Sequence, residues 1–166
     1  MNISVDLTQL TNAARDFVPA LRRELRIGLK QSAEILIKQA KTNLDKEFEI
    51  SRSSSAPNSI QVDDSKTTED SITVGINIAD CPYSIYLHNG TKRHFINPGF
   101  LTGNPNADAK ALHWVSGGKS FFSGGHWVSG IEKKPFLYNA AKEVKQEIRD
   151  LIEMRIQLAF TMTGFK

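Results

Sequence analysis

The residues of this chain whose types could do chemistry are four histidines, one cysteine and two adjacent pairs of carboxylates. His88, His94, His113 and His126 carry imidazoles of the kind that bind zinc when spaced as HExxH or accompanied by CxxC. Neither pattern is present, and no Asp or Glu falls between His88 and Phe100. His113 and His126 each precede a tryptophan, so an aromatic-rich surface accounts for them without a metal. Cys81, beside Pro82, lies in no catalytic-cysteine motif and reads as a small buried hydrophobe. A single cysteine cannot form an internal disulfide, which agrees with a reducing compartment. Asp63-Asp64 and Glu69-Asp70 fall in a predicted turn, where solvation is expected and general acid–base work is not. Neither GxxxxGKS/T nor GxGxxG occurs, and the pairs Gly117-Gly118 and Gly124-Gly125 lack the strand-to-helix setting of a phosphate cradle. The expectation is a chain with no catalytic, cofactor or metal site; a metal-dependent hydrolase built on the histidines is the weakest of the readings.

A different constellation is richer. Lys92, Arg93, His94, Phe95, Lys110, Trp114, Lys119, Phe121, Phe122 and Trp127 mix cations with aromatic faces, and Lys133 and Lys134 follow. Such a mixture can grip phosphates and stack bases, or it can serve a protein interface, where aromatics and arginine are enriched. Residues 81–135 hold six basic and two acidic groups, a net of +4 that is small for a nucleic-acid partner. An assembly interface is therefore the leading reading for Lys92, Arg93, His94, Phe95, Trp114, Phe121, Phe122, Trp127, Lys133 and Lys134, with a small nucleic-acid-binding module as the alternative. The preceding residues 47–80 hold two basic and seven acidic groups, net −5. Two readings fit that contrast: solvated loops of differing sign, or complementary surfaces that meet between copies of the protein.

The elements that must position these residues follow from periodicity. A chain of 166 residues, 40% apolar and 23% charged, predicts one globular domain over 1–166. Apolar runs such as Ile35 to Ile37 are far too short to span a bilayer, and Met1 to Leu10 shows no export signal, so a soluble chain is expected. Leu21, Leu25, Leu29, Ala33, Leu36, Ala40 and Leu44 form one stripe of a long amphipathic helix ending near Lys46. Pro19 is placed at its first turn, and Leu7 to Phe17 predict a shorter helix before it. The polar run 51–59 predicts a mobile loop, and Ile60, Val62 and then Ile72 to Ile78 alternate as an antiparallel hairpin. Pro82 to Leu87 form a short helix or strand ended by Asn89 and Gly90.

From Lys92 to Lys134 the periodicity is lost and seven of the eleven glycines occur, which predicts an extended arm or hairpin insertion. Inside it, Ala111 to Val115 and Lys119 to Ser123 flank Gly117-Gly118 as a second hairpin. The pentapeptide HWVSG occurs at His113 and again at His126, a local echo too closely spaced for a solenoid. Pro135 opens a last helix running to about Thr161. The predicted class is α+β: two long helices packed on a small antiparallel β-sheet, with a long glycine- and aromatic-rich excursion.

This order of signals resembles the tail-completion or neck proteins of long-tailed bacteriophages, also called head–tail joining or minor tail proteins. Tyr83 to Thr91 (YSIYLHNGT) is similar to that family's YAxYVExGT block, and Ile131 to Ala140 (IEKKPFLYNA) is similar to its GIxxxPFLxxA block, with Gly130 supplying the glycine. The segment ALHWVSGGKSFF between them is similar to the family's hairpin. His88-Asn89 replace the family's acidic residue before Gly-Thr, and the loop at Ser51 to Asn58 lacks the family's Thr-Gly. The resemblance implies a virion structural protein, located in the neck or tail and in the host cytoplasm during assembly. It implies partnership with copies of itself in a ring and with other phage neck or tail proteins, no membrane, no cofactor and no catalysis.

Overall fold

The apolar stripe from Leu21 to Leu44 is the spine of a single helix of 41 residues, α1 (Thr8–Phe48), in the computed structural model, which describes residues 8–48, 55–96 and 111–164. Pro19 lies inside α1, where the sequence predicted a break. An internal proline removes one helical hydrogen bond and costs about 3 kcal/mol. Packing nearby offsets this: Phe17, two residues before, packs on Phe160 with ring centroids 4.6 Å apart.

The buried face of α1 is more polar than its leucine spacing suggests. Ala33, Ala40 and Leu44 are buried, but so are Glu24, Ser32 and Asn43. Each has a partner, as burial of a polar group requires. The Ser32 hydroxyl donates to the Gly28 carbonyl at 2.7 Å. The side-chain amides of Gln39 and Asn43 donate to Glu143 at 2.7 and 3.0 Å.

The C-terminal stripe, predicted as one helix, is two: α3 (Phe136–Glu143) and α4 (Lys145–Met162). They meet at Val144, whose backbone leaves the helical region at φ −93° and ψ 1°. Its amide still donates to Ala140 and its carbonyl still accepts from Ile148, so the bend loses little hydrogen bonding and Val144 stays buried. Both helices pack on α1, with Phe136 completely enclosed.

Between the helical segments, Ala56–Ser59 form one 3-10 turn. This corrects the expectation of a mobile loop for the later part of 51–59, because Ala56 and Ser59 are fully buried; residues 51–54 lie outside the described residues. Small side chains with satisfied hydroxyls can enter a core. The Ser59 hydroxyl lies 2.7 Å from the Ala56 carbonyl and 2.9 Å from the hydroxyl of buried Ser84. The hairpin is β1 (Ile60–Val62) paired antiparallel with β2 (Val74–Ile76), in the register Ile60↔Ile76 and Val62↔Val74. It is shorter than the alternation from Ile72 to Ile78 predicted. Buried Cys81 precedes α2 (Ser84–Asn89), and this short helix is one of the two forms foreseen for Pro82 to Leu87.

The chain forms two compact units, Met1–Ile85 with Pro135–Lys166, and Tyr86–Lys134. The second is built of ladders. β3 (His94–Ile96) pairs antiparallel with β6 (His126–Val128), and β4 (Leu112–Ser116) pairs with β5 (Lys119–Ser123). Gly117 and Gly118 make the two-residue turn of the β4–β5 hairpin with φ of +56° and +76°, the left-handed pair that such a tight turn demands. The molecule is thus mixed α and β, with a long N-terminal helix and small antiparallel ladders. Among the described residues the strands make three two-stranded ladders and not one sheet beneath the helices, because only β1–β2 belongs to the helical unit. Among these residues no helix is long and apolar enough to cross a membrane.

Candidate functional site

The ten residues assigned to an interface from sequence all belong to the second unit, and the fold sorts them into three places. Lys92 and Arg93 lead into β3, which carries His94 and Phe95; Trp127 sits opposite Phe95 on β6. Phe95 and Trp127 meet edge to face with centroids 5.7 Å apart, a geometry aromatic quadrupoles favour. The Arg93 guanidinium carbon stands 5.1 Å from the centre of the Trp127 ring, within cation–π reach. Phe95 is 49% and Trp127 60% exposed, so this cation–aromatic cluster faces outward.

The second place is the β4–β5 hairpin. Its register sets Trp114 opposite Phe121 and His113 opposite Phe122. Phe121, Phe122 and Val115 are exposed at 42%, 70% and 62%. Successive strand residues point to opposite faces, so both faces of the hairpin present apolar surface. The side chain of Trp114 lies outside the described residues, as does Lys110. The third place holds Lys133, exposed, and Lys134, half-buried, after the turn at Gly130.

Two segments 40 residues apart are joined there. The Thr91 amide donates to the Ile131 carbonyl at 2.9 Å, and the Ile131 amide donates back to the Thr91 hydroxyl at 2.9 Å. His88 is half-buried nearby; burial, and then the Lys133 charge, hold its imidazole pKa below the ordinary value. Desolvation and a neighbouring cation both disfavour the charged ring.

The other chemical candidates are placed elsewhere. Asp63 accepts from the Ser65 amide at 3.2 Å and from the Ser65 hydroxyl at 2.5 Å, and pairs with Lys66 at 3.1 Å. The Ser65 bonds and then Lys66 hold its carboxyl below the usual range. Glu69 pairs with Arg26 of α1 at 2.5 Å. These acids close a turn. Among the described residues no three His, Cys, Asp or Glu side chains are grouped so as to hold a metal ion.

Sequence reasoning missed β3 and its pairing with β6. The signal was present: His94-Phe95-Ile96, His113-Trp114-Val115 and His126-Trp127-Val128 share one pattern of histidine, aromatic and β-branched residue, and each is strand. The HWVSG echo is therefore a conformational echo, because the closing glycine of each copy takes positive φ. Comparison with family models, with curated proteins and with solved structures gives no match to this chain.

Proposed function

We propose that this chain is a virion structural subunit that completes or joins a phage tail at the head–tail neck, acting through a ring of identical subunits and not through catalysis. The observation that carries this reading is the meeting of the two sequence blocks behind the resemblance. Gly90-Thr91 closes the first block and Gly130-Ile131 opens the second, and reciprocal hydrogen bonds clamp them together. In this reading Lys92 to Lys134 serves as the contact arm of a single domain, with this clamp at its base. Its outward aromatics, Phe95, Phe121, Phe122 and Trp127, are the residue types that dominate interface energetics. An isolated two-stranded ladder is marginal in water, so burial against a partner is a natural source of its stability. The partners in this reading are copies of the chain and other neck or tail proteins, and the location is the virion, reached from the host cytoplasm.

The test is assembly. Light scattering and electron microscopy of the purified chain are expected to find a closed ring, and replacing Phe121, Phe122 and Trp127 by serine is expected to abolish it while leaving the far-ultraviolet circular dichroism intact. A chain that stays monomeric but binds short DNA, with an affinity that falls steeply as salt rises, would overturn the neck reading in favour of a nucleic-acid module.

A further inference from the structure

The segments that hold the two ladders β1–β2 and β3–β6 differ in net charge. Residues 60–80 hold five acids and one base, net −4, whereas Tyr86–Lys134 hold six bases and two acids, net +4. Along β1–β2 runs a groove of about 510 Å³ whose lining includes Val62, Asp63, Asp64, Val74, Ile76 and Ile78. Its lining mixes aliphatic Val62, Val74, Ile76 and Ile78, the last 56% exposed, with a larger share of polar groups, among them Lys66 paired to Asp63; Asp64 is exposed beside them. Asp70, in the turn that joins β1 to β2 and outside this lining, is exposed as well. The aliphatic residues offer contact to an aromatic side chain, and Asp64 offers a partner to a cation beside it. The β3–β6 face offers that combination, with Phe95 and Trp127 projecting and Arg93 over the indole.

We propose that copies of this chain associate head to tail, the Arg93–Phe95–Trp127 face of one copy seated in the β1–β2 groove of the next. This rests on the self-assembly reading above and names its two faces. A two-fold contact of either face with itself would set like charges together: Arg93 and Lys92 against their own copies, or Asp64 against its own. Like-charge juxtaposition is strongly unfavourable across an interface. Because the two faces are different patches of one chain, every docked copy leaves one unused face of each kind. Repetition then closes a ring or grows a filament. Apolar contact supplies affinity, while the charge contrast sets orientation and makes the encounter salt-sensitive.

Two variants test it. Arg93→Glu with Trp127→Ser blocks the basic face and leaves the groove; Asp64→Lys with Asp70→Lys reverses one charge at the groove and one in the turn between its strands, and leaves the basic face. All four positions are exposed, so both variants are expected to keep the wild-type circular dichroism and melting transition. Each alone is expected to self-associate on the order of tenfold or more weakly than the wild type in sedimentation and light scattering. Mixed in equal amounts they are expected to form a heterodimer and nothing larger, since one intact face of each kind remains. A groove variant that assembles like the wild type, or folded variants that stay monomeric when mixed, would overturn the head-to-tail contact while leaving a ring with some other interface. A wild type that is monomeric at every concentration would overturn the ring reading itself, and this contact with it.

Discussion

The helical unit and the ladder unit reach order by opposite routes. In the first, a long helix and two shorter ones enclose Phe136, Leu44, Ala40, Ala140 and Ala159 and bury even a carboxylate, so the core pays for the elements. In the second, the large aromatics Phe95, Phe122 and Trp127 stand outward, and backbone clamps hold the chain. The helical unit also exposes apolar side chains, among them Ile27, Met154 and Met162, but it encloses a core of its own. A unit with its aromatics outside, held by turns and reciprocal amide bonds, is shaped for contact. Both tryptophans, Trp114 and Trp127, belong to the ladder unit, and α1, α3 and α4 belong to the other. Tryptophan fluorescence and far-ultraviolet circular dichroism therefore follow the two units separately.

The largest effect is expected at Phe136. Phe136→Ala empties an enclosed site and is expected to cost about 3–5 kcal/mol, lowering the melting transition seen by circular dichroism. A loss under about 1 kcal/mol would mean that the helical unit is not held by this core. Next comes the ion pair between α1 and α4. Glu24, 3% exposed, accepts from Arg155 at 3.1 Å, and Arg155 also donates to Gln31 at 2.8 Å. Arg155→Met is expected to cost about 3 kcal/mol by leaving Glu24 buried with only the exposed Arg23, at 3.3 Å, as a cationic partner. Adding Glu24→Leu should recover most of the loss, because the stranded charge is then gone. Denaturant titration of the single and double variants checks this; equal stabilities of single and double variants would contradict it.

In the ladder unit the matching perturbation is of the backbone. Gly130 has φ +87°, and a Cβ there would run into the Thr91 carbonyl oxygen and the Lys92 backbone. Gly130→Ala is expected to cost about 1–3 kcal/mol locally, through left-handed strain and displacement of the Thr91–Ile131 clamp. Tryptophan fluorescence should report the loss while the helical signal is unchanged. A simultaneous fall of both signals would show that the two units unfold together.

What was legible in the sequence divides along the same line. Leu21 to Leu44 announced α1 because helical burial leaves a period, and Gly117-Gly118 announced a tight hairpin because few residues accept two consecutive positive φ values. Pro19 misled, since local propensity ranks a proline as a break and takes no account of what Phe17 packs upon. Val144 misled in the other direction: nothing in its residue type marks a bend that the buried surroundings impose. Of the interface residues, composition gathered all ten into one surface. Only the strand register separates Phe95 and Trp127 from Phe121 and Phe122. The pairing of β3 with β6 spans some 30 residues, so short-range periodicity carries no trace of it, and the repeated histidine–aromatic–aliphatic triplet was the available clue. Glu24 was invisible as a buried group because its partner Arg155 lies 131 residues away.

The smallest expected effect separates the units by pH. The folded state holds the His88 pKa below 6.5 through burial and the Lys133 charge, whereas an unfolded chain returns it to about that value. Below pH 6.5 the unfolded state therefore binds more protons than the folded one, and stability falls as the pH falls. Above 6.5 both states hold a neutral ring and the contribution is level. The slope cannot exceed about 1.4 kcal/mol per pH unit for one group, and the partial solvent exposure of His88 keeps the effect well below that limit. Tryptophan-detected unfolding at pH 7.5 and 5.5 should reveal a loss that His88→Gln removes. Lys133→Gln should shrink it without abolishing it, because burial is the larger cause and the cation the smaller. The carboxyl of Asp63, in the helical unit, is also held low, and its contribution fades only at more acidic pH, as the carboxylate itself titrates. If the variants leave the slope between pH 7.5 and 5.5 unchanged, its origin is not His88.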